Sequence, residues 1–232
     1  MKILKRFLCV CILLISSHTF AMSVGERRAM SAPKNLDENM PQLVHYLTAN
    51  IPDQTEKAKA IAVWIASHIA YDHDTYDNGV VKRKISNAEQ SAKQVLKDKI
   101  GVCSGFADLY EKMLRLAGIR SEKVHGFVIE NAPNQNKAKM LAKKESVGHV
   151  WTKVHVTGRP PLYVDTTWMS RGTFNIGQWR HHNEQKRKRE IRQNKRNHKS
   201  HNYEMDYFDF SYADLTRQGE YRFTNQRQLI KK

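Results

Sequence analysis

Three residues of this chain have the types that nucleophilic thiol chemistry requires: a cysteine, a histidine and an aspartate. Cys103 lies between Gly101 and Gly105, directly before apolar residues at helical spacing, so it is predicted to open a helix. A helix N-terminus offers unpaired N–H groups and a partial positive charge, which favour a thiolate over a thiol. A neighbouring imidazolium strengthens that preference. Cys103 therefore has the placement of a nucleophile, and a small buried hydrophobic residue is the alternative interpretation.

His149 and Asp165 are predicted to supply the base and the carboxylate that orients it. His149 begins the strand-like segment His149–Thr157, and Asp165 lies in the next one, Leu162–Trp168, after a Gly-Arg-Pro-Pro turn signal. Their residue numbers have an even sum. A hairpin register that pairs residues of even sum would place both side chains on one side of the sheet. A carboxylate there fixes the imidazole tautomer and stabilises the imidazolium. The other histidines, including His125 on a strand, are interpreted as structural or solvated.

The elements that must position these residues predict an α+β fold, with helices first and an antiparallel sheet after them. A helix of about 15 residues is expected from Thr55, where apolar residues recur with helical periodicity, and a short one over Ser91–Asp98. The helix that Cys103 opens is expected to stop at Gly118. Lys123–Glu130 adds a third strand-like segment to the hairpin.

The first 21 residues have the composition of a secretory signal peptide, with a basic start, an apolar run and a small residue at Ala21. The run is too short for a membrane span, which needs about 20 residues, so the mature chain is expected in the periplasm or outside the cell. Cys9 and Cys11 leave with the leader, and Cys103 is then the one cysteine of the mature chain. The mature chain keeps 36 basic and 23 acidic residues, a net formal charge of +13.

The mature chain divides by composition into an N-terminal extension with one helix (residues 22–54), a core (55–176) and a basic, then aromatic, C-terminal part (177–232). Arg180–His201 holds nine Lys or Arg and two Glu, so it carries +7 of that net charge. Such a run is predicted to bind anionic surfaces or polymers. A solvated segment that only maintains solubility is the alternative. Export argues against nucleic acid as a partner, and the aromatic residues that follow predict a tail that packs back on the core.

Four stretches of the sequence, in order, carry a resemblance to a known family. They are Trp64-Ile65 with Ile69-Ala70-Tyr71-Asp72, then Gly101-Val102-Cys103-Ser104-Gly105-Phe106-Ala107, then Gly148-His149-Val150-Trp151, and finally Tyr163-Val164-Asp165-Thr166-Thr167-Trp168. From about Thr55 to Gly172 the chain resembles the transglutaminase-like superfamily, particularly its kyphoscoliosis-peptidase-type branch.

The resemblance implies a papain-like α+β fold, with Cys103 as nucleophile, His149 as general base and then acid, and Asp165 as the residue that orients it. Val150 departs from the family pattern, in which alanine is frequent, and little effect is expected from it. The motifs do not assign the side chain that completes the oxyanion hole. Trp64 and Tyr71 are candidates for it, and core packing is the other interpretation of both.

These residues predict a secreted thiol enzyme that acts on a protein or peptide substrate through an acyl-thioester intermediate. Water would resolve that intermediate by hydrolysis, which is favoured for an exported protein, and an amine would resolve it by transamidation. A catalytically inactive binding module on the same fold is the alternative. No cofactor is expected, and no Cys-x-x-Cys or His-x-x-x-His spacing supports a zinc site.

Overall fold

The computed structural model describes residues 22–72, 76–77, 80–81, 86–88, 90–130, 147–170, 203–210 and 221–225. Within these ranges the α-helices are α1 (Val24–Met30), α2 (Met40–Thr48), α3 (Gln54–His68), α4 (Ala92–Asp98), α5 (Cys103–Leu116) and α6 (Thr166–Met169). The strands are β1 (Ala70–Tyr71), β2 (Tyr76–Asp77), β3 (Val80–Val81), β4 (Ile100–Gly101), β5 (Arg120–Glu130), β6 (Val147–His155), β7 (Leu162–Val164) and β8 (Tyr221–Asn225). The predicted leader, nearly all of the lysine-rich insert between β5 and β6, and the basic segment Arg180–His201 lie outside the described residues.

Helix α3 is the centre of the core, because every residue from Ala60 to His68 is buried. Its first turn begins at Gln54, one residue before the predicted start at Thr55. The reason is the cap: the Asp53 carboxylate accepts a hydrogen bond from the Thr55 N–H at 2.7 Å. The predicted cap, Thr55, was two residues late, and the predicted end near Tyr71 lies three residues beyond the observed end at His68.

The N-terminal extension contains more structure than the one helix predicted for it. Helix α1 precedes a short 3-10 helix over Lys34–Leu36, and α2 follows. Helix α1 packs so closely on α3 that a Cβ atom at Gly25 would lie 2.5 Å from the carbonyl oxygen of Glu56. The Glu56 carboxylate also accepts the Gly25 N–H at 2.8 Å. The extension is thus packed onto the core.

A four-stranded antiparallel sheet lies against α5, in the order β7-β6-β5-β8. The α+β class predicted from the sequence is confirmed. Strand β6 pairs with β7 in a register that sets Thr152 opposite Val164, an even sum of residue numbers. The prediction that His149 and Asp165 face the same side of the sheet assumed this even register.

The strand predicted over Leu162–Trp168 is shorter than expected, and the prediction is wrong in its second half. Strand β7 ends at Val164, and helix α6 starts at Thr166. Asp165 lies between them as the N-cap of α6, because its carboxylate accepts the Trp168 N–H at 3.1 Å. Asp165 therefore follows the second arm of the hairpin rather than lying within it.

Two short elements hold the start of the cysteine helix. Strand β4 runs parallel to β1, with Gly101 opposite Tyr71, and connects α4 to α5.

Helix α5 ends at Leu116, and Gly118 beyond it adopts a φ of +73°, a left-handed conformation that glycine accepts readily. The predicted stop at Gly118 is confirmed.

Candidate active site

Cys103 is the first residue of α5 and is a half-buried free thiol. The N-cap residue, Val102, has no side chain that could bond to the first turn of the helix. The first-turn N–H groups therefore stay available near the thiol, with the positive end of the helix dipole behind them. This is the local environment that favours a thiolate and that can bind a developing oxyanion.

His149 and Asp165 are in direct contact. The His149 Nε2 atom donates to Asp165 Oδ2 at 2.6 Å, and Asp165 is fully buried. The second carboxylate oxygen is fixed by its capping bond to the Trp168 N–H. Both oxygens of Asp165 thus have donors, and the carboxylate holds the imidazole in one orientation.

The Cys103 thiol is close enough to the His149 ring to contribute to its raised pKa. Since Nε2 is bonded to Asp165, Nδ1 is the ring nitrogen left for the thiol. Burial alone would lower the pKa of His149. The charge and hydrogen bond of Asp165, with a further contribution from Cys103, outweigh burial and raise that pKa to about 10. At neutral pH the His149 ring is therefore protonated, with the thiol on one side and the carboxylate on the other.

Two tryptophans enclose the imidazole. Trp151 stacks on His149 with ring centroids 6.0 Å apart, and Trp168 meets it edge-on at 5.8 Å. Trp168 in turn contacts Tyr207, at 5.5 Å between centroids. Tyr163, on the neighbouring strand β7, packs on Phe210. The rings keep water from most of the His149 surface, which is 7% exposed.

Gln90 was missed by the sequence reasoning. Its side-chain oxygen accepts the Val102 N–H at 2.9 Å, one residue before the thiol, and the residue is buried. The same side chain fills the space beside Gly105, where a Cβ atom would also lie 2.8 Å from Val95 Cγ2. The glycines on either side of Cys103 were the available signal, since small residues there indicate that another group approaches the backbone.

The two oxyanion-hole candidates differ in their surroundings. Trp64 is fully buried, with His68 stacked on it at 4.5 Å and the Lys99 ammonium 4.6 Å from its ring centroid. It is a core residue. Tyr71 is half-buried on β1, opposite Gly101, so it lies beside the loop that leads to Cys103.

Within the described ranges, no three His, Cys, Asp or Glu side chains form a group that could hold a metal ion. His125 is exposed on β5, opposite Val150, away from the buried His149–Asp165 pair. The described helices also include none that is long and apolar enough to cross a bilayer.

Comparison with protein families gives a match to the transglutaminase-like superfamily over residues 41–170. The chain belongs to this superfamily. The matched range contains Cys103, His149 and Asp165, and the helices and antiparallel sheet described above form the papain-like α+β fold of its members. The resemblance seen in the sequence is thereby confirmed at the level of family and fold.

The chain is similar to curated kyphoscoliosis peptidases. It is 30% identical over 147 residues to the human protein and 28% identical over 144 residues to the mouse protein. Each alignment covers 61% of this chain, and the chain spans only about a fifth of the length of these relatives. Among solved structures, one described as a TGase aligns with 69% of this chain and 37% of its own, at 15% identity and a TM-score of 0.41.

Proposed function

We propose that this protein is an exported thiol enzyme that acts on peptide or amide bonds, with Cys103, His149 and Asp165 as its catalytic triad. The observation that carries the proposal is the His149 imidazole, which is bonded to the buried Asp165 at 2.6 Å and lies close enough to Cys103 for the thiol to contribute to its raised pKa. A structural histidine needs neither a free thiol nor a helix N-terminus beside it. A nucleophilic cysteine is activated by a neighbouring histidine and by a helix N-terminus.

The arrangement supports acylation in the following steps. The Cys103 thiolate attacks the carbonyl carbon of the substrate, and the resulting oxyanion accepts hydrogen bonds from the first-turn N–H groups of α5. The His149 imidazolium gives its proton to the leaving amine as the C–N bond breaks. The products of this half-reaction are the free amine, an acyl-thioester on Cys103 and a neutral His149 bonded to Asp165.

Deacylation reverses these roles. Neutral His149 takes a proton from water as the water oxygen attacks the thioester carbon. Breaking the C–S bond then releases the carboxylic acid and restores the thiolate beside the imidazolium. A primary amine attacking in place of water would give a transamidated product instead. We propose hydrolysis as the principal outcome for a protein that the leader-like first 21 residues indicate is exported.

A panel of peptides and amides tests the proposal when each is incubated with wild type and with Cys103→Ala, in the presence and absence of a primary amine. Cleavage by wild type alone, unaffected by the amine, is the expected result. Incorporation of the amine would identify a transamidase. Binding without turnover, equal in wild type and Cys103→Ala, would contradict the catalytic proposal and favour the inactive binding module.

A further inference from the structure

We propose that Tyr207, in the C-terminal segment Tyr203–Phe210, is a positioning residue for Asp165 and, through Trp168, for His149. The inference rests on the proposed function. The segment lies beyond residues 41–170, the range matched to the family, so that match assigns it no role.

The backbone of this segment contacts Asp165 and the two residues before it. The Asp165 N–H donates to the Tyr207 carbonyl oxygen at 2.9 Å, and Val164 forms an antiparallel bridge with Phe208. The Phe210 N–H donates to the Tyr163 carbonyl oxygen at 3.2 Å. The segment therefore extends the edge of the sheet beside β7. It fixes the main chain between the end of β7 and the start of α6, where Asp165 is the N-cap.

The side chain of Tyr207 adds a packing contact to this main-chain bond. Its ring lies 5.5 Å from that of Trp168 and is almost completely buried. The Trp168 ring lies 5.8 Å from the ring of His149. Tyr207 therefore supports the tryptophan that covers the imidazole, and it helps to keep water from the His149–Asp165 bond. Excluding water strengthens that charged hydrogen bond.

Contacts along its length hold the segment in place. At one end the Tyr203 hydroxyl donates to the Glu26 carboxylate at 2.8 Å, and the Glu204 N–H donates to the Met169 carbonyl oxygen at 2.9 Å. At the other end Arg159 and Asp209 form an ion pair at 2.6 Å. The segment thus bridges α1, α6 and the β6–β7 turn. Because both ends of the segment are anchored, the segment can hold Asp165 in a fixed position.

Paired variants within the same segment test the inference. Tyr207→Ala removes the ring against Trp168, whereas Phe210→Ala removes a similarly buried ring that packs on Tyr163. We expect Tyr207→Ala to lower kcat roughly tenfold or more with less change in KM, since small displacements of catalytic groups are costly. The basic limb of its pH profile should also move to lower pH. Phe210→Ala should leave kcat, KM and the basic limb of the pH profile close to their wild-type values.

Tyr207→Phe and Tyr207→Leu separate positioning from general stability. Tyr207→Phe keeps the ring and should have kinetics close to wild type. Tyr207→Leu keeps a buried side chain at this position and serves as the test if the alanine variant does not fold. Equal effects of Tyr207→Leu and Phe210→Leu on kcat and on the pH profile would overturn the inference. An NMR titration of the His149 ring gives the same comparison without turnover. A wild type that turns over no substrate would refute the proposed function, while unchanged His149 titration in Tyr207→Leu would refute this inference.

Discussion

Asp165→Asn should move the titration of His149 by more than any other single change in this site. The pKa of His149 is about 10, well above its usual 6.5, and burial opposes that rise, so the neighbouring groups contribute the whole increase. Asparagine keeps the size of the side chain and can still cap α6 through its oxygen, so the fold should persist. It removes the negative charge, however. The pKa of His149 should then fall to near or below 6.5, a change on the order of several kcal/mol.

The consequence for turnover is large because the variant loses the imidazolium at neutral pH. We expect kcat to fall by about 10⁴-fold with a much smaller change in KM, which is the cost of removing the orienting carboxylate in an analogous Ser-His-Asp triad. In wild type the basic limb of kcat/KM should lie near pH 10, where His149 loses its proton. In the variant that limb should lie near or below neutral pH.

The free energy of unfolding should also depend on pH through the raised pKa of His149. Because the folded-state pKa of His149 is raised above its unfolded value, the stabilisation is fully present below about pH 6.5 and is lost as the pH rises toward 10. The unfolding free energy of wild type should therefore fall between these pH values, and that of Asp165→Asn should fall less. Urea titrations across the pH range measure this difference.

Asp53→Asn is the matched control, because Asp53 also caps a helix but is exposed at the start of α3. It should change neither the basic limb nor the pH dependence of unfolding. If Asp165→Asn keeps the basic limb near pH 10, Asp165 does not hold the proton on His149, and the electrostatic reasoning is refuted.

Three further changes test other parts of the site and chain. Cys103→Ala should abolish turnover while the thermal midpoint moves by only a few degrees, measured by activity assay and thermal melting, and retained activity would contradict the nucleophile assignment. Gly105→Ala should destabilise the fold by about 1–3 kcal/mol because its Cβ would lie 2.8 Å from Val95 Cγ2. Gly148→Ala, with no atom of the described residues within 4 Å of its Cβ apart from its chain neighbours, should be nearly neutral, and equal urea midpoints for the two would show the packing argument to be wrong. Deletion of residues 180–201 should lower the salt concentration for elution from heparin, and an unchanged elution would remove the segment as the anion-binding element.

The helix that carries Cys103 was predictable because its signals are local. Apolar residues recur at helical spacing after Cys103, and Gly118 ends the pattern. The contact between His149 and Asp165 was also accessible, since a hairpin of even register brings their side chains to one side of the sheet. The turn signal and the alternation of a hairpin are contained within about 20 residues of sequence.

What the sequence did not predict depends on contacts between distant parts of the chain or on one residue that can serve two structures. Asp165 suits a strand end and a helix N-cap equally in sequence, and only the bond to the Trp168 N–H decides between them. Gln90 lies 12 residues before its partner Val102, with no periodic pattern connecting them. Tyr207 reaches Asp165 from beyond the basic segment. Aromatic composition predicted that the tail would pack on the core, but it could not predict on which residues.

The pH dependence of Cys103 alkylation by iodoacetamide tests the central claim most directly, because it reports the thiolate without requiring a known substrate. The account predicts alkylation at pH 6 that is already much faster than that of a free thiol, since the helix N-terminus and the His149 imidazolium both favour the anionic form. His149→Ala should lose this behaviour. A wild-type rate at pH 6 no greater than that of a free thiol, rising about tenfold per pH unit toward 8.5, would contradict the account.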